Sequence, residues 1–418
     1  MTVIRKTRSV CPVCLAPIAA HLAEENGAVY MEKTCRLHGY FKTLVWRGLS
    51  DFADWRENAA PLKEGEGEKC PDCRRCGSHT QGTCCVLLEV TPRCDLNCAF
   101  CFAPKKGPEP SLDELKGAVD IILSHGRPLI QLSGGEPTVR DDLPELIRYI
   151  REKGGRYIQL NTNGLRLARD EAYAAALAEA GLSFVFLQFD AFDDEVYVKL
   201  RGRPLLDEKQ AAIEACSRHG LGVVLVPTIV KGVNDGQIGD IVQNAVFMSP
   251  VVRGIHFQPV SFFGTYPKEP DDDRRYTLDE LIDALCSQAG IDKKYILPSR
   301  CDHPACGFHA AFTATEECEL IPAESAENTG DVTSAEQNRE YIAVRWAGLG
   351  LGDERGDGFD RLLERLGRHS FTITSMAFQD AGNLDIERLR RCSLHVYENG
   401  RLIPFCAKYL TSFKGETK

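Results

Sequence analysis

Three cysteines stand close together in Cys94-Asp-Leu-Asn-Cys98-Ala-Phe-Cys101, directly after an apolar run at 86–91. Three thiolates on one loop can bind three irons of a 4Fe–4S cube, because cysteine is the usual ligand of such clusters. The fourth iron is then left for a small chelating molecule. Zinc is the alternative for this spacing, but a structural zinc takes four protein ligands. The position of the loop at the carboxyl end of a predicted strand favours the open cluster. A second group, Gly134-Gly135-Glu136-Pro137, follows the next predicted strand. Glycines let a backbone approach a ligand closely, and a carboxylate complements an ammonium.

The chain has 18 cysteines, and their clustering points to metal rather than to disulfides. Cys11-Pro-Val-Cys14 and Cys35-Arg-Leu-His38 are paired halves of a closed tetrahedral site. Zinc is the expected occupant and mononuclear iron its rival; Gly39 suits a tight ligand turn. Cys70-Pro-Asp-Cys73-Arg-Arg-Cys76 has the spacing of a ferredoxin-type loop, with Cys84 as preferred fourth ligand and Cys85 read as a core residue. Zinc fits this spacing too; iron–sulfur is favoured because the segment runs straight into the strand before Cys94. Cys301, Cys306, Cys392 and Cys406 form a looser set that fits a second auxiliary cluster, with Cys318 as a fifth candidate.

These groups need a scaffold. Apolar runs of strand length occur at 86–91, 129–133, 157–161, 184–189, 222–230 and 254–259. Helical segments fall near 111–124, 142–153, 170–180, 208–219, 236–248 and 277–289. Ser111-Leu-Asp-Glu114 and Thr277-Leu-Asp-Glu280 have capping-box spacing at two of the helix starts. Six βα units predict an α/β fold with a parallel sheet, curled into a partial barrel or doubly wound, whose active groups gather at the carboxyl ends of the strands. Asn26-Gly27 predicts a tight hairpin within the first fifty residues. The expected division is 1–60 for a metal-binding knuckle, 61–85 for an auxiliary cluster segment, 86–290 for the barrel and 291–418 for a separate cluster-carrying domain.

Composition narrows the partners. The 418 residues carry a net charge of -10, which argues against general nucleic-acid binding. No apolar run is long enough to span a bilayer. The start MTVIRKTRSVCPVC lacks the apolar core of a secretory signal. Exposed clusters and free thiolates call for a reducing, low-oxygen cytoplasm.

CDLNCAFC after one strand and GGEP after the next resemble the radical S-adenosylmethionine (SAM) superfamily. The resemblance implies a partial (β/α)6 barrel, a 4Fe–4S cluster on Cys94, Cys98 and Cys101, and SAM on its open iron with Gly134, Gly135, Glu136 and Pro137 about the methionine amino group. It places Asn161 and Asn163 of the Asn161-Thr-Asn-Gly164 turn near that cofactor. Gln188 and Asp190, alternating onto one face of a strand, are expected to meet the ribose or the substrate. The implied chemistry is reductive cleavage of SAM to methionine and a 5′-deoxyadenosyl radical, with an electron donor such as a flavodoxin or ferredoxin. The CPVC…CRLH knuckle, CPDCRRC, VRGIHFQPVSFFG and IPFCAKY together resemble the branch that holds tetraether lipid synthases and 7,8-dihydro-6-hydroxymethylpterin methylases. That branch carries a mononuclear metal and several 4Fe–4S clusters, here one radical-generating and two auxiliary. The leading expectation is radical carbon–carbon bond formation on a lipid, with Phe262 and Phe263 near the barrel mouth. The second is C-methylation or another modification of a pterin-like heterocycle, with His256, Gln258 and Glu89 available to hydrogen-bond it. A non-catalytic iron–sulfur carrier is a third class; it would need neither GGEP nor an open iron.

Overall fold

The computed structural model describes residues 1–57, 82–103, 107–267, 270–323, 334–347 and 369–413. Cys70, Cys73 and Cys76, and the segment boundaries expected at 60–61, lie outside the described residues.

The chain opens as a four-stranded antiparallel ribbon, β1 (Thr2–Val10), β2 (Pro17–Glu25), β3 (Ala28–Cys35) and β4 (Gly39–Trp46). The expected hairpin joins β2 to β3: Asn26 and Gly27 both take positive φ, 54° and 82°, and Glu25 pairs with Ala28. Between β4 and the short helix α1 (Phe52–Glu57), the ribbon's exit is held on the body of the protein by one carboxylate. Asp279 accepts the backbone N–H groups of Arg47, Gly48 and Leu49 at 3.0, 2.9 and 3.0 Å.

The body is built on β5 (Cys85–Thr91), β6 (Leu129–Gly134), β7 (Ile158–Thr162), β8 (Phe184–Gln188), β9 (Gly222–Val226), β10 (Thr228–Ile229) and β11 (Val252–Pro259). β5, β6, β7, β8, β9 and β11 are neighbours in that order and run parallel. The run expected at 222–230 is split at Pro227, which has no N–H for the ladder. The intervening helices are α2 (Leu112–Ser124), α3 (Leu143–Glu152), α4 (Leu165–Arg169), α5 (Glu171–Glu179), α6 (Asp194–Arg201), α7 (Leu206–Arg218) and α8 (Ile238–Phe247), followed by α9 (Leu278–Ala289). Both expected capping boxes form, at Ser111 with Glu114 and at Thr277 with Glu280. Leu146, Ile147 and Ile150 of α3 and Val119 and Ile122 of α2 are buried in the main core between helices and sheet.

The carboxyl-terminal part departs from the expectation of a separate domain. β12 (Leu297–Pro298), β13 (Gly307–Ala314), β14 (Leu320–Pro322) and β15 (Ser370–Met376) extend the barrel sheet beyond β11, while β16 (Leu394–Glu398) and β17 (Arg401–Pro404) extend it beyond β5. His256 pairs with Thr374 on one side and Cys85 with Leu394 on the other. The last third therefore closes both edges that a six-stranded partial barrel leaves open. Two short helices, α11 (Ile386–Arg390) and α12 (Phe405–Lys408), flank β16 and β17. Helix α10 (Ala335–Trp346) packs into the barrel: Ala343 and Trp346 share a buried cluster with Leu129, Phe184, Phe186 and Val224. Gly222 permits this approach, because a Cβ there would stand 2.3 Å from the carbonyl oxygen of Trp346.

Among the described residues, no helix is long and apolar enough to cross a membrane.

Candidate active site

Leu87, Gln131, Gln159, Phe186, Val226 and His256, one residue from each barrel strand, line a single cavity of about 330 Å³. A flat sheet could not bring six strands to one space; this one is curled. Cys94, Cys98 and Cys101 line the same cavity, and the loop that carries them is pinned at three points. Ala99 N–H donates to the Leu200 carbonyl at 3.0 Å, Cys101 and Thr265 exchange two backbone bonds at 3.0 and 2.7 Å, and Asn163 Nδ2 donates to Asp95 Oδ1 at 2.6 Å. The three thiols meet the requirement for a cluster held by three ligands with an open side: they share a loop and face a cavity.

The glycines of the GGEP segment serve this loop directly. Gly135 N–H donates to the Thr91 carbonyl and Glu136 N–H to that of Arg93, both at 2.7 Å. A Cβ on Gly134 would lie 2.3 Å from Thr91 O, and one on Gly135 2.1 Å from Arg93 O. The close approach is therefore to the backbone leading into Cys94. Glu136 also does more than face a ligand. Its Oε1 accepts from Thr138 N–H, Thr138 Oγ1 and Thr162 Oγ1 at 3.0, 2.7 and 2.6 Å, and Oε2 accepts Asn163 N–H at 2.7 Å. Burial raises its pKa, and these four donors oppose the shift. One oxygen, Oε2, retains acceptor capacity. Pro137 is buried at the start of a 3₁₀ turn and does not line the cavity.

Asn161, Asn163 and Gln188 line the cavity as expected; Asp190 does not. Asp190 is fully buried and paired with Arg201 of α6, with Nε at 2.7 Å from Oδ2 and Nη2 at 2.8 Å from Oδ1. Arg201 lines the cavity and touches Cys98. Burial works against its charge, but Asp190 and Cys98 together outweigh it, so the guanidinium stays protonated. Lys209, on α7, was equally absent from the sequence expectations. Fully buried, it donates to Asn163 O at 2.5 Å and to Gln188 Oε1 at 2.9 Å, and burial lowers its pKa to about 7.

His256 and Gln258 on β11 also line the cavity, as alternation predicts. His256 Nδ1 is 2.8 Å from Thr374 Oγ1, and burial lowers its pKa to about 4, so the ring is neutral at pH 7. Glu89 does not line the cavity; it accepts a hydrogen bond from Tyr409 Oη at 2.9 Å. Phe263 lines the cavity, whereas Phe262 packs against Tyr266 and under the Arg275 guanidinium.

One further metal set appears among the described residues, and a second group of cysteines shares a cavity. Ligand atoms of Cys11, Cys14, Cys35 and His38 all lie within 4.8 Å of one another, and His38 Nδ1 is 3.5 Å from the sulfurs of both Cys11 and Cys35. The Leu37 N–H, then the His38 ring, lower the Cys35 pKa to about 6, which favours the ligating thiolate. Toward the carboxyl terminus, Cys306, Cys392 and Cys406 line one small cavity together. Arg388 Nε donates to Cys306 Sγ and Gln379 N–H to Cys406 Sγ, both at 3.3 Å. Burial raises the pKa of all three thiols, and Arg388 opposes the shift at Cys306 and Cys406. Cys301 is elsewhere: it touches Cys84, whose Sγ is 3.5 Å from that of Cys85. Cys84, Cys85 and Asp302 line the barrel cavity. Cys318 is exposed in a turn at φ 63° and joins neither set.

Residues 88–245 match the Radical SAM superfamily, and residues 3–47 match the HMPTM N-terminal zinc ribbon domain. The 7,8-dihydro-6-hydroxymethylpterin dimethyltransferase of Methanocaldococcus jannaschii is 33% identical over 96% of this chain and 92% of its own length. The chain belongs to the radical SAM superfamily. It is an enzyme with the radical SAM α/β fold, and its amino-terminal ribbon is a zinc ribbon. Other relatives align over less. The Fe-coproporphyrin III synthase of Methanosarcina barkeri is 40% identical over 35% of this chain and 37% of its own. The GTP 3′,8-cyclase of Limosilactobacillus fermentum is 31% identical over 50% and 62%. Among solved structures, Streptococcus suis SuiB matches with a TM-score of 0.42 and 18% identity, covering 49% of this chain and 45% of its own.

Proposed function

We propose that this radical SAM enzyme modifies a pterin-like heterocycle at carbon, the reaction class being C-methylation. The observation that carries this reading is the content of the barrel cavity. Beside the three cysteines stand carboxamides from successive strands and an aromatic wall of Phe186 and Trp346, whose ring centroids are 4.9 Å apart. Such a lining suits a flat ring with a polar edge. Helix α10 packs into the barrel beneath it, where Ala343 and Trp346 share a buried cluster with Phe184 and Phe186. The full-length likeness to a protein named for a pterin supports the same substrate class. Lipid coupling, the leading expectation from sequence, receives no support from these relatives.

Cys94, Cys98 and Cys101 would hold the 4Fe–4S cluster. When bound, that cluster supplies the electron for reductive cleavage of SAM. The protein's own groups bind and orient. Arg201, fixed by Asp190 beside Cys98, offers a cation to the methionyl carboxylate. Glu136 and Asn163 fix the loops on either side, and the Glu136 Oε2 acceptor is available to an ammonium. Neutral His256 can exchange hydrogen bonds with substrate without adding charge to the cavity. Cys306, Cys392 and Cys406 would hold an auxiliary cluster; Cys70, Cys73 and Cys76, with Cys84 or Cys301, would hold another. The electron donor is proposed to be a flavodoxin or ferredoxin.

The test is turnover under anaerobic conditions with reconstituted protein, SAM and a one-electron reductant. Formation of 5′-deoxyadenosine should rise on adding 7,8-dihydro-6-hydroxymethylpterin and not on adding a phospholipid dispersion. The reverse response would favour the lipid reading.

A further inference from the structure

One lumen residue is left incomplete by the protein itself. Gln159 is 1% exposed, and its Nε2 donates to Asn161 Oδ1 at 2.5 Å. Its Oε1 has no hydrogen-bond partner, yet the side chain lines the cavity. Buried acceptors are paired in the large majority of cases, so an orphaned oxygen on a cavity-lining side chain points to a donor that arrives with a ligand. Gln131 is the register partner of Gln159 on β6 and lines the same cavity, which puts two carboxamides side by side. Gln159 is two residues before Asn161 on β7, roughly 7 Å deeper than the cofactor-facing turn. The aromatic wall stands nearer the mouth: Phe186 pairs with Asn161 across β7 and β8, and Phe186 lies 5.5 Å from the His256 ring.

We propose that Gln159, with Gln131 beside it, reads the pyrimidine edge of the substrate heterocycle, Gln159 Oε1 accepting its ring N–H or exocyclic amine. The inference rests on the pterin reading and deepens it. A 2-amino-4-oxo ring edge alternates donors and acceptors, which a pair of carboxamides can match. A hydrocarbon chain has no donor for Oε1 and would leave it buried and unpaired. The adenine amine of SAM is the competing donor, so the test reads both ligands.

The experiment measures binding of 7,8-dihydro-6-hydroxymethylpterin and of SAM, separately, to cluster-loaded wild type and Gln159→Leu under anaerobic conditions. The expected result is an affinity for the pterin about 10- to 100-fold weaker, with SAM changed by less than about twofold. Melting of the ligand-free variant should stay close to that of wild type, because the substitution removes an unsatisfied acceptor together with the bond to Asn161. Gln159→Met serves if Gln159→Leu does not fold. Unchanged pterin affinity in the variant, or weakened SAM in place of weakened pterin, overturns the subsite while leaving the pterin function standing. Absence of pterin binding by wild type overturns the function, and the subsite with it.

Discussion

Asp190 grips Arg201 through two hydrogen bonds, 2.7 Å to Nε and 2.8 Å to Nη2, and thereby sets a guanidinium against Cys98. The pair is buried, so its two members are not equivalent targets. Replacing Arg201 by Met removes the cation facing the cavity and leaves a buried carboxylate. SAM binding should weaken about tenfold or more, while iron per chain stays near wild type. Asp190→Ala leaves the guanidinium buried and unpaired, and should lower unfolding stability by about 3–5 kcal/mol. Calorimetric SAM titration and urea unfolding of the two variants check this; equal SAM affinity in Arg201→Met would remove the assigned role.

Gly135 is required by space, since its missing Cβ would meet Arg93 O at 2.1 Å. Gly135→Ala must push the loop leading to Cys94 away from the end of β6. The expected outcome is loss of about one cluster's iron and of SAM cleavage, with ribbon zinc retained. Elemental analysis of the purified variant decides the point.

The cysteines of the last third are separable by iron content. Cys392→Ala removes one of three cysteines on a shared cavity and should lose about one cluster's iron. Cys318→Gly touches no metal set and relieves a positive φ of 63°, so iron should be unchanged and stability should rise by about 0.5–1 kcal/mol. Loss of iron from the Cys318 variant would reverse the assignment.

Lys209 links the site to pH. Burial lowers its folded pKa from 10.5 to about 7, Asp190 opposing only in part. Between those values the unfolded chain binds the extra proton, so this group's contribution to stability rises with pH across the window and is fully absent below its lower edge. In urea unfolding, wild type should gain on Lys209→Met by roughly 1 kcal/mol per pH unit from neutrality upward. A constant difference across that range would contradict it.

Much of this was readable from local pattern. The six strands, the Ser111 and Thr277 capping boxes, the Asn26-Gly27 turn and the Cys11–His38 site depend on residues close in sequence. What escaped depends on distance. Helix α6 is only eight residues long, and with it Arg201 went unnoticed, although Asp193 at its N-cap and Gly202 at φ 88° were available signals. The seating of α10 in the barrel was hidden because its buried face is a thin stripe, Ala335, Arg339, Ala343 and Trp346. Cys301 was grouped with Cys306 by proximity along the chain, but the pairing of β16 with β5 and the Ser393 contacts bring it to Cys84. Nothing in the run 157–161 marks Gln159; its orphaned oxygen is visible only once the barrel closes around it.

The most direct test of the central claim is anaerobic turnover with 7,8-dihydro-6-hydroxymethylpterin deuterated at carbon, SAM and a one-electron reductant, read by mass spectrometry. The account predicts deuterium in 5′-deoxyadenosine together with a pterin altered at carbon. Intact, cluster-loaded protein that cleaves SAM but leaves the pterin unchanged and the label in place would contradict it.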